Sequence, residues 1–381
     1  MDKCCGLDVH KDSIFACILD EQGKKFLENR YSTLTVDLIK LRDTLVECGC
    51  GKVAMESTSI YWLPVWRVLE SDFSLKLANP YFIKQLPGRK SDVKDAQWIA
   101  ECLQKELIRG SFVPDDILQQ MRQYGRQHRR LTKSKVRIEQ QIDNQMQRCN
   151  IRLSNYVSNQ GNNVSLRKVI NGIIAGERDP AVLSKLVHGR IKNRHGEDVI
   201  IGSLAGVVNV ADVEMLRQCM EQIDLLEKQQ AACLIHLEEL ADKYYAGEIS
   251  LLCTIPGIQK FSAMCILSEI GNDMNTFSKA SHLVGWAGLR PRNDESAGKI
   301  QSRKIMHGNK YLRQVLVEIS WAAAHSNKSF LGRKFNHLSK RMKSQKALLA
   351  ITRKILVIIF NVLKTGQGFD VNRNLQAIMP D

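Results

Sequence analysis

The sequence predicts an α/β domain followed by a long, mainly helical region, an α/β plus α fold class. Three observations carry this. Apolar runs of strand length alternate with helix-periodic segments from residue 3 to about 100. Apolar residues then recur at three- and four-residue spacing through 117–149, and a heptad repeat occupies 213–241.

Taken in order, 4–9 and 14–19 are apolar runs joined by the polar His10-Lys11-Asp12, the pattern of a hairpin. Residues 38–48 have helical periodicity, and 52–56 and 75–78 read as further strands, so the domain should hold a mixed sheet. Ser91 and Asp92 open a helix expected to run through Leu107. The next helix places Ile117, Met121, Tyr124, His128, Leu131, Ile138, Ile142 and Cys149 on one face, with basic residues opposite. The polar run Ser158-Asn159-Gln160-Gly161-Asn162-Asn163 reads as a loop. Leu183, Leu186 and Val187 predict a short helix, with a connector from His188 to Gly196. In the heptad, Leu216, Ile223, Gln230 and Leu237 occupy one seam position and Cys219, Leu226, Cys233 and Leu240 the other. Such a helix either associates with another copy as a coiled coil or packs in cis on the 117–149 helix. The expected domains are 1–156, 157–247 and 248–381.

At 381 residues the chain can hold two or three cores, and 44% hydrophobic residues is ordinary for a globular protein. Net charge +15 and a pI near 9.3 point to an anionic partner. The charge is focused. Between Arg290 and Lys354 there are sixteen Lys and Arg against Asp294, Glu295 and Glu318, and Arg122 to Arg152 holds nine against Glu139 and Asp143. The longest apolar run, Ile355-Leu356-Val357-Ile358-Ile359-Phe360, is far short of the roughly 20 residues a bilayer requires. Without signal-peptide anatomy at Met1-Asp2-Lys3-Cys4, a cytoplasmic, nucleoid-associated location is expected. The eleven cysteines form no CxxC pair and read as reduced core thiols.

Four acids carry the chemistry. Asp8 lies inside an apolar strand, where a carboxylate without a partner or metal is costly. Glu56 ends the run Val53-Ala54-Met55, and Asp92 and Asp95 share a helical face at i, i+3. Carboxylates so placed can converge on divalent cations, a common device for phosphodiester chemistry. Arg89, Lys90 and Lys94 flank the Asp pair, where a phosphate backbone must approach acids. Further on, Ile255-Pro256-Gly257-Ile258 reads either as a phosphate-binding turn or as a plain turn between helices. Ser296 lies in a small polar turn among Arg292, Lys299, Arg303 and Lys304, with no activating base nearby in sequence. Lys310 and Arg313 belong to the same basic stretch and most simply contact phosphates.

Gly6-Leu7-Asp8-Val9-His10-Lys11, Met55-Glu56-Ser57-Thr58, Gly88 through Ala96, Glu295-Ser296-Ala297-Gly298-Lys299 and Gly308-Asn309-Lys310-Tyr311-Leu312-Arg313 occur in that order. Together they resemble the DEDD transposases of bacterial insertion sequences, a family that includes recombinases guided by a bridge RNA. The resemblance runs from Gly6 to about Leu363. It implies an N-terminal RuvC-like domain of ribonuclease H fold, a coiled-coil region and a C-terminal transposase domain. It further implies that Asp8, Glu56, Asp92 and Asp95 bind magnesium and that Ser296 forms a covalent link to DNA. Acids and serine would come from different protomers of a homo-oligomer, a dimer or tetramer. Gln259, where many relatives carry glycine, and Met306-His307, where basic residues are usual, depart from the pattern. The expected activity is therefore DNA recombination; the alternative is a junction-resolving nuclease that uses water.

Overall fold

The computed structural model describes residues 3–83, 95–157, 164–291, 294–296, 299–302, 305, 307–326 and 329–370. These fall into two units, divided between Val113 and Pro114.

The first unit is built on a five-stranded sheet ordered β3-β2-β1-β4-β5. Its strands are β1 (Lys3–Val9), β2 (Ile14–Leu19), β3 (Lys25–Tyr31), β4 (Cys50–Glu56) and β5 (Ser74–Ala78). β1, β2 and β3 form an antiparallel meander, while β4 lies parallel to β1 and β5 parallel to β4. This mixed sheet, with helices on it, is ribonuclease H-like. Alternation along the strands splits the core in two. Leu7, Val9, Val53 and Met55 face α1 (Thr35–Glu47) and α2 (Trp62–Leu69), which bring Leu38, Leu41, Leu45, Val65 and Leu69. After the short α3 (Pro80–Ile83), α4 (Asp95–Gln104) covers the other face. Its Ala96, Ile99, Ala100 and Leu103 pack with Cys4, Cys17, Leu19 and Ala54. The helix stops three residues short of Leu107, and its expected opening at Ser91 and Asp92 lies outside the described residues.

Gly6 sets how closely α4 can lie. A Cβ there would collide with the Ala96 carbonyl and the Ala100 backbone. The Cys4 thiol donates to Ala100 O at 3.7 Å. Moving along β1 from Cys4 to Gly6 therefore moves back along α4 from Ala100 toward Ala96, so the start of α4 points toward Asp8.

The second unit begins with α5 (Asp116–Arg148), whose antiparallel mate is α10 (Val210–Tyr244). Gln145 donates to Asp212 at 2.6 Å, Lys135 pairs with Glu227 at 2.8 Å, and Gln230 donates to Thr132 at 2.8 Å. The numbers on the two helices run in opposite directions, which fixes the register. On the seam predicted for α10, Leu216, Ile223 and Leu237 of the first position are buried, joined by Met220 and Ala241. Cys219, Leu226, Cys233 and Leu240 are half-buried.

One end of this pair closes over α6 (Val164–Ile174), α7 (Pro180–Lys185), α8 (Gly189–His195) and α9 (Glu197–Leu204), around Ile142, Met146, Leu166, Ile170 and Leu216. The expected loop at 158–163 lies outside the described residues. The expected 188–196 connector is mostly helix. Its polar sequence buries no side chain and so carried no periodic signal. Beyond α10 come α11 (Ala246–Cys253), α12 (Lys260–Ile270), α13 (Ala280–Trp286), α14 (Lys310–Ala324), α15 (Phe330–Ser339) and α16 (Ser344–Thr365). Between α13 and α14 lies a hairpin of β6 (Asp294–Ser296) and β7 (Lys299–Ser302). No helix among the described residues is long and apolar enough to cross a membrane.

Candidate catalytic centre

Asp8 and Glu56 come together because β1 and β4 are parallel neighbours in register. Leu7 pairs with Met55, so the next residue on each strand, Asp8 and Glu56, stands at the same level. Leu7 and Met55 are fully buried on the α1 side, which turns both carboxylates to the side covered by α4. Adjacent strands lie about 4.8 Å apart, close enough for two carboxylates to share a cation. Asp95 is the first residue of α4, immediately before the Ala96 carbonyl that rests on Gly6. Of the four expected acids, Asp8 and Glu56 thus close adjacent strands and Asp95 opens the helix packed beside them.

The Asp8 carboxylate is only 14% exposed, and His10 Nε2 lies 3.0 Å from its Oδ2. His10 itself stacks edge-on against Phe15. Past Glu56 the chain folds back sharply: Ser57 N donates to Ala78 O, Thr58 N to Glu56 O, and Ser59 takes a positive φ of 51°. That turn ends β4 and leaves Glu56 at the rim. Asp92, with Arg89, Lys90 and Lys94, lies outside the described residues. Among the described residues, no three His, Cys, Asp or Glu side chains enclose a metal-sized point. The donors present are all carboxylate oxygens, the hard set that suits magnesium or manganese and not a soft metal.

Ser296 is the last residue of β6, paired with Lys299 across the Ala297-Gly298 connection. The expected small polar turn thus belongs to a strand pair, with the serine at its final paired position. Lys299 is exposed, Lys310 opens α14 and Arg313 follows within it. Arg292, Arg303 and Lys304 lie outside the described residues. The Pro-Gly turn joins α11 to α12 with Ile255 and Ile258 buried, and Gly257 (φ 91°) backs onto the Ile319 carbonyl of α14.

One cluster carries no sequence signature. Glu269, 3% exposed on α12, accepts from Arg126 Nε and Nη2, both at 2.8 Å, and from Asn309 Nδ2 at 2.7 Å. Arg122 donates to the Ser268 and Glu269 carbonyls. Burial pushes the Glu269 carboxyl up, but the Arg126 and Asn309 hydrogen bonds and the two guanidinium charges outweigh it and hold it below the usual range. Burial likewise pushes Arg122 down, to about 10, so it stays charged at neutral pH.

A transposase model of the DEDD type matches residues 5–151, and a model described as Transposase IS116/IS110/IS902 family matches residues 249–334. The chain belongs to the IS116/IS110/IS902 transposase family. A DEDD transposase domain implies a metal-dependent site, and the Asp8–Glu56 edge falls within the matched region. The Ser296 hairpin and Glu269 fall within the second match. Among curated relatives, the pilin gene-inverting protein of Moraxella bovis is 36% identical over 128 residues, which make up 32% of this chain and 38% of that protein. The pilin gene-inverting protein of Moraxella lacunata matches to the same extent. The chain thus aligns with well under two thirds of those relatives' length.

Proposed function

We propose that this family member is a DNA recombinase that mobilises an insertion sequence through a serine–phosphate intermediate. The observation that carries the reading is the placement of Asp8 and Glu56 at one level of two parallel strands, with Asp95 opening the helix packed over them. Asp92, three residues before Asp95, has the spacing of a shared helical face and is the proposed fourth ligand. Bound magnesium would offset negative charge on the scissile phosphate.

The rest falls to this chain's own groups. Ser296 Oγ forms an ester bond to phosphorus as the bond to the departing strand's oxygen breaks. One ester replaces another, so the strand can be rejoined by the reverse step without an energy-rich cofactor. Arg89, Lys90, Lys94, Arg292, Lys299, Arg303, Lys304, Lys310 and Arg313 would hold the DNA backbone, giving affinity that falls steeply with salt. The gene-inverting activity named for the Moraxella proteins supports rearrangement of DNA as the outcome. A structured bridge RNA as guide and a dimer or tetramer, with acids and serine contributed by different protomers, complete the proposal. Coiled-coil pairing of α10 between protomers is the proposed route to that assembly.

The test is excision of the element in cells carrying it whole, read by amplification across the new DNA junction. Wild type should give the junction, and Ser296→Ala and Asp8→Ala should not. A junction at wild-type yield with Ser296→Ala would replace the serine mechanism by one that uses water.

A further inference from the structure

The β6–β7 hairpin is too small to hold itself in place. Three residue pairs of an isolated two-stranded ribbon are marginal in water. Among the described residues, what holds the hairpin is the contact between its feet. One foot is the end of α13, where Gly288 N donates to Gly285 O and Leu289 N to Val284 O. The other is Gly308-Asn309, just before α14. The two are pressed together: a Cβ on Gly308 would collide with the backbone of Ala287 and Gly288, and Asn309 N donates to Trp286 O at 3.2 Å. The Pro291–Ile305 bridge continues the contact toward the hairpin.

Asn309 uses both ends of its side chain. Its Oδ1 caps α14, accepting from Tyr311 N and Leu312 N at 3.0 Å each. Its Nδ2 donates to Glu269 Oε2, whose other partners are Arg126 and Arg122. The Arg126 guanidinium also lies 4.2 Å from the centre of the Tyr311 ring, so α5 meets the first turn of α14 directly as well as through Glu269. One asparagine thus links the end of α13, the start of α14 and, through Glu269, helices α12 and α5.

We propose that Asn309, held by Glu269 and Arg126, is a positioning residue that sets where the hairpin presents Ser296. This rests on the serine reading above. A displacement of about 1 Å at a reacting group can cost on the order of a hundredfold in rate, so rigid feet have a catalytic consequence beyond stability.

The decisive variant is Asn309→Asp. Aspartate caps helices as well as asparagine and suits a helix N-terminus, so α14 is preserved. The variant loses the donor to Glu269 and sets two carboxylates against each other. Adding Glu269→Gln restores a donor facing the new carboxylate and an acceptor facing Arg126. Three quantities would be measured: covalent protein–DNA adduct in cells carrying the whole element, affinity of the purified protein for duplex DNA of the element's end, and melting temperature. Asn309→Asp should lower adduct by about tenfold or more with affinity changed by less than about twofold, and the double variant should recover to within about threefold of wild type. Wild-type adduct in Asn309→Asp, with none in Ser296→Ala, would overturn the positioning role and leave the serine reading intact. Parallel loss of melting temperature and affinity, with no recovery in the double variant, would also overturn it by making the link merely structural. Adduct persisting in Ser296→Ala would overturn the serine reading and this inference with it.

Discussion

Asp8 and Glu56 stand level with each other on parallel strands, one residue past the buried Leu7–Met55 pair. Two carboxylates at this spacing can share one divalent cation. Magnesium should therefore raise the melting temperature of the wild-type protein by a few degrees, as binding to the folded state alone requires. Asp8→Asn should gain nothing from magnesium. A magnesium response equal to wild type in Asp8→Asn would exclude this carboxylate as a ligand. Differential scanning fluorimetry with and without chelator measures both.

Gly6 makes a second point accessible. Because α4 rests directly on its Cα, Gly6→Ala forces the helix off β1 and with it Asp95. The expected cost is about 1–3 kcal/mol, typical of overpacking against backbone. Urea unfolding should show it, together with a weaker magnesium response than wild type.

Much of this was legible in the sequence, for physical reasons. β1, β2, β4 and β5 lie where short apolar runs predicted them, and Asp8 and Glu56 were marked as charges in or at the end of such runs. β3 was missed. Lys25-Phe26-Leu27-Glu28-Asn29-Arg30-Tyr31 is an edge strand that pairs with β2 and buries only Tyr31 fully, so nothing in it alternates. The Glu269 cluster was invisible because its arginines lie 143 to 147 residues away and an isolated Glu in an apolar helix has no pattern. The hairpin at Ser296 was hidden for a similar reason, since a three-residue strand is too short for a period.

The α5–α10 pair gives a third prediction. Gln230 sits in the seam facing α5 and donates to Thr132. Gln230→Leu should raise stability by about 0.5–1 kcal/mol, since the partner hydroxyl can turn to water. Because this seam is filled within the chain, the mass in solution by light scattering should not change. A shift in oligomeric mass would show that this seam also meets another protomer.

Lys354 provides a pH dependence. Burial beside the Phe330 ring, and then the Lys334 ammonium, push it down to about 8. Its ordinary value is near 10.5, so protonation is harder in the folded state. Below pH 8 its charge therefore opposes folding, and that opposition fades as pH rises from 8 toward 10.5. Lys354→Met, which keeps an apolar stem, should stabilise the protein at pH 7 and lose its advantage by about pH 10. Chemical denaturation at the two pH values tests the sign.

The proposed recombination requires a covalent bond between Ser296 and DNA formed with help from the acids. The most direct measurement is mass spectrometry of adducts trapped by rapid denaturation from cells carrying the whole element. Wild type should yield a peptide bearing a nucleotide on Ser296, and Asp8→Ala and Ser296→Ala should yield none. Cleaved DNA with no adduct, equally abundant in Ser296→Ala, would contradict the account.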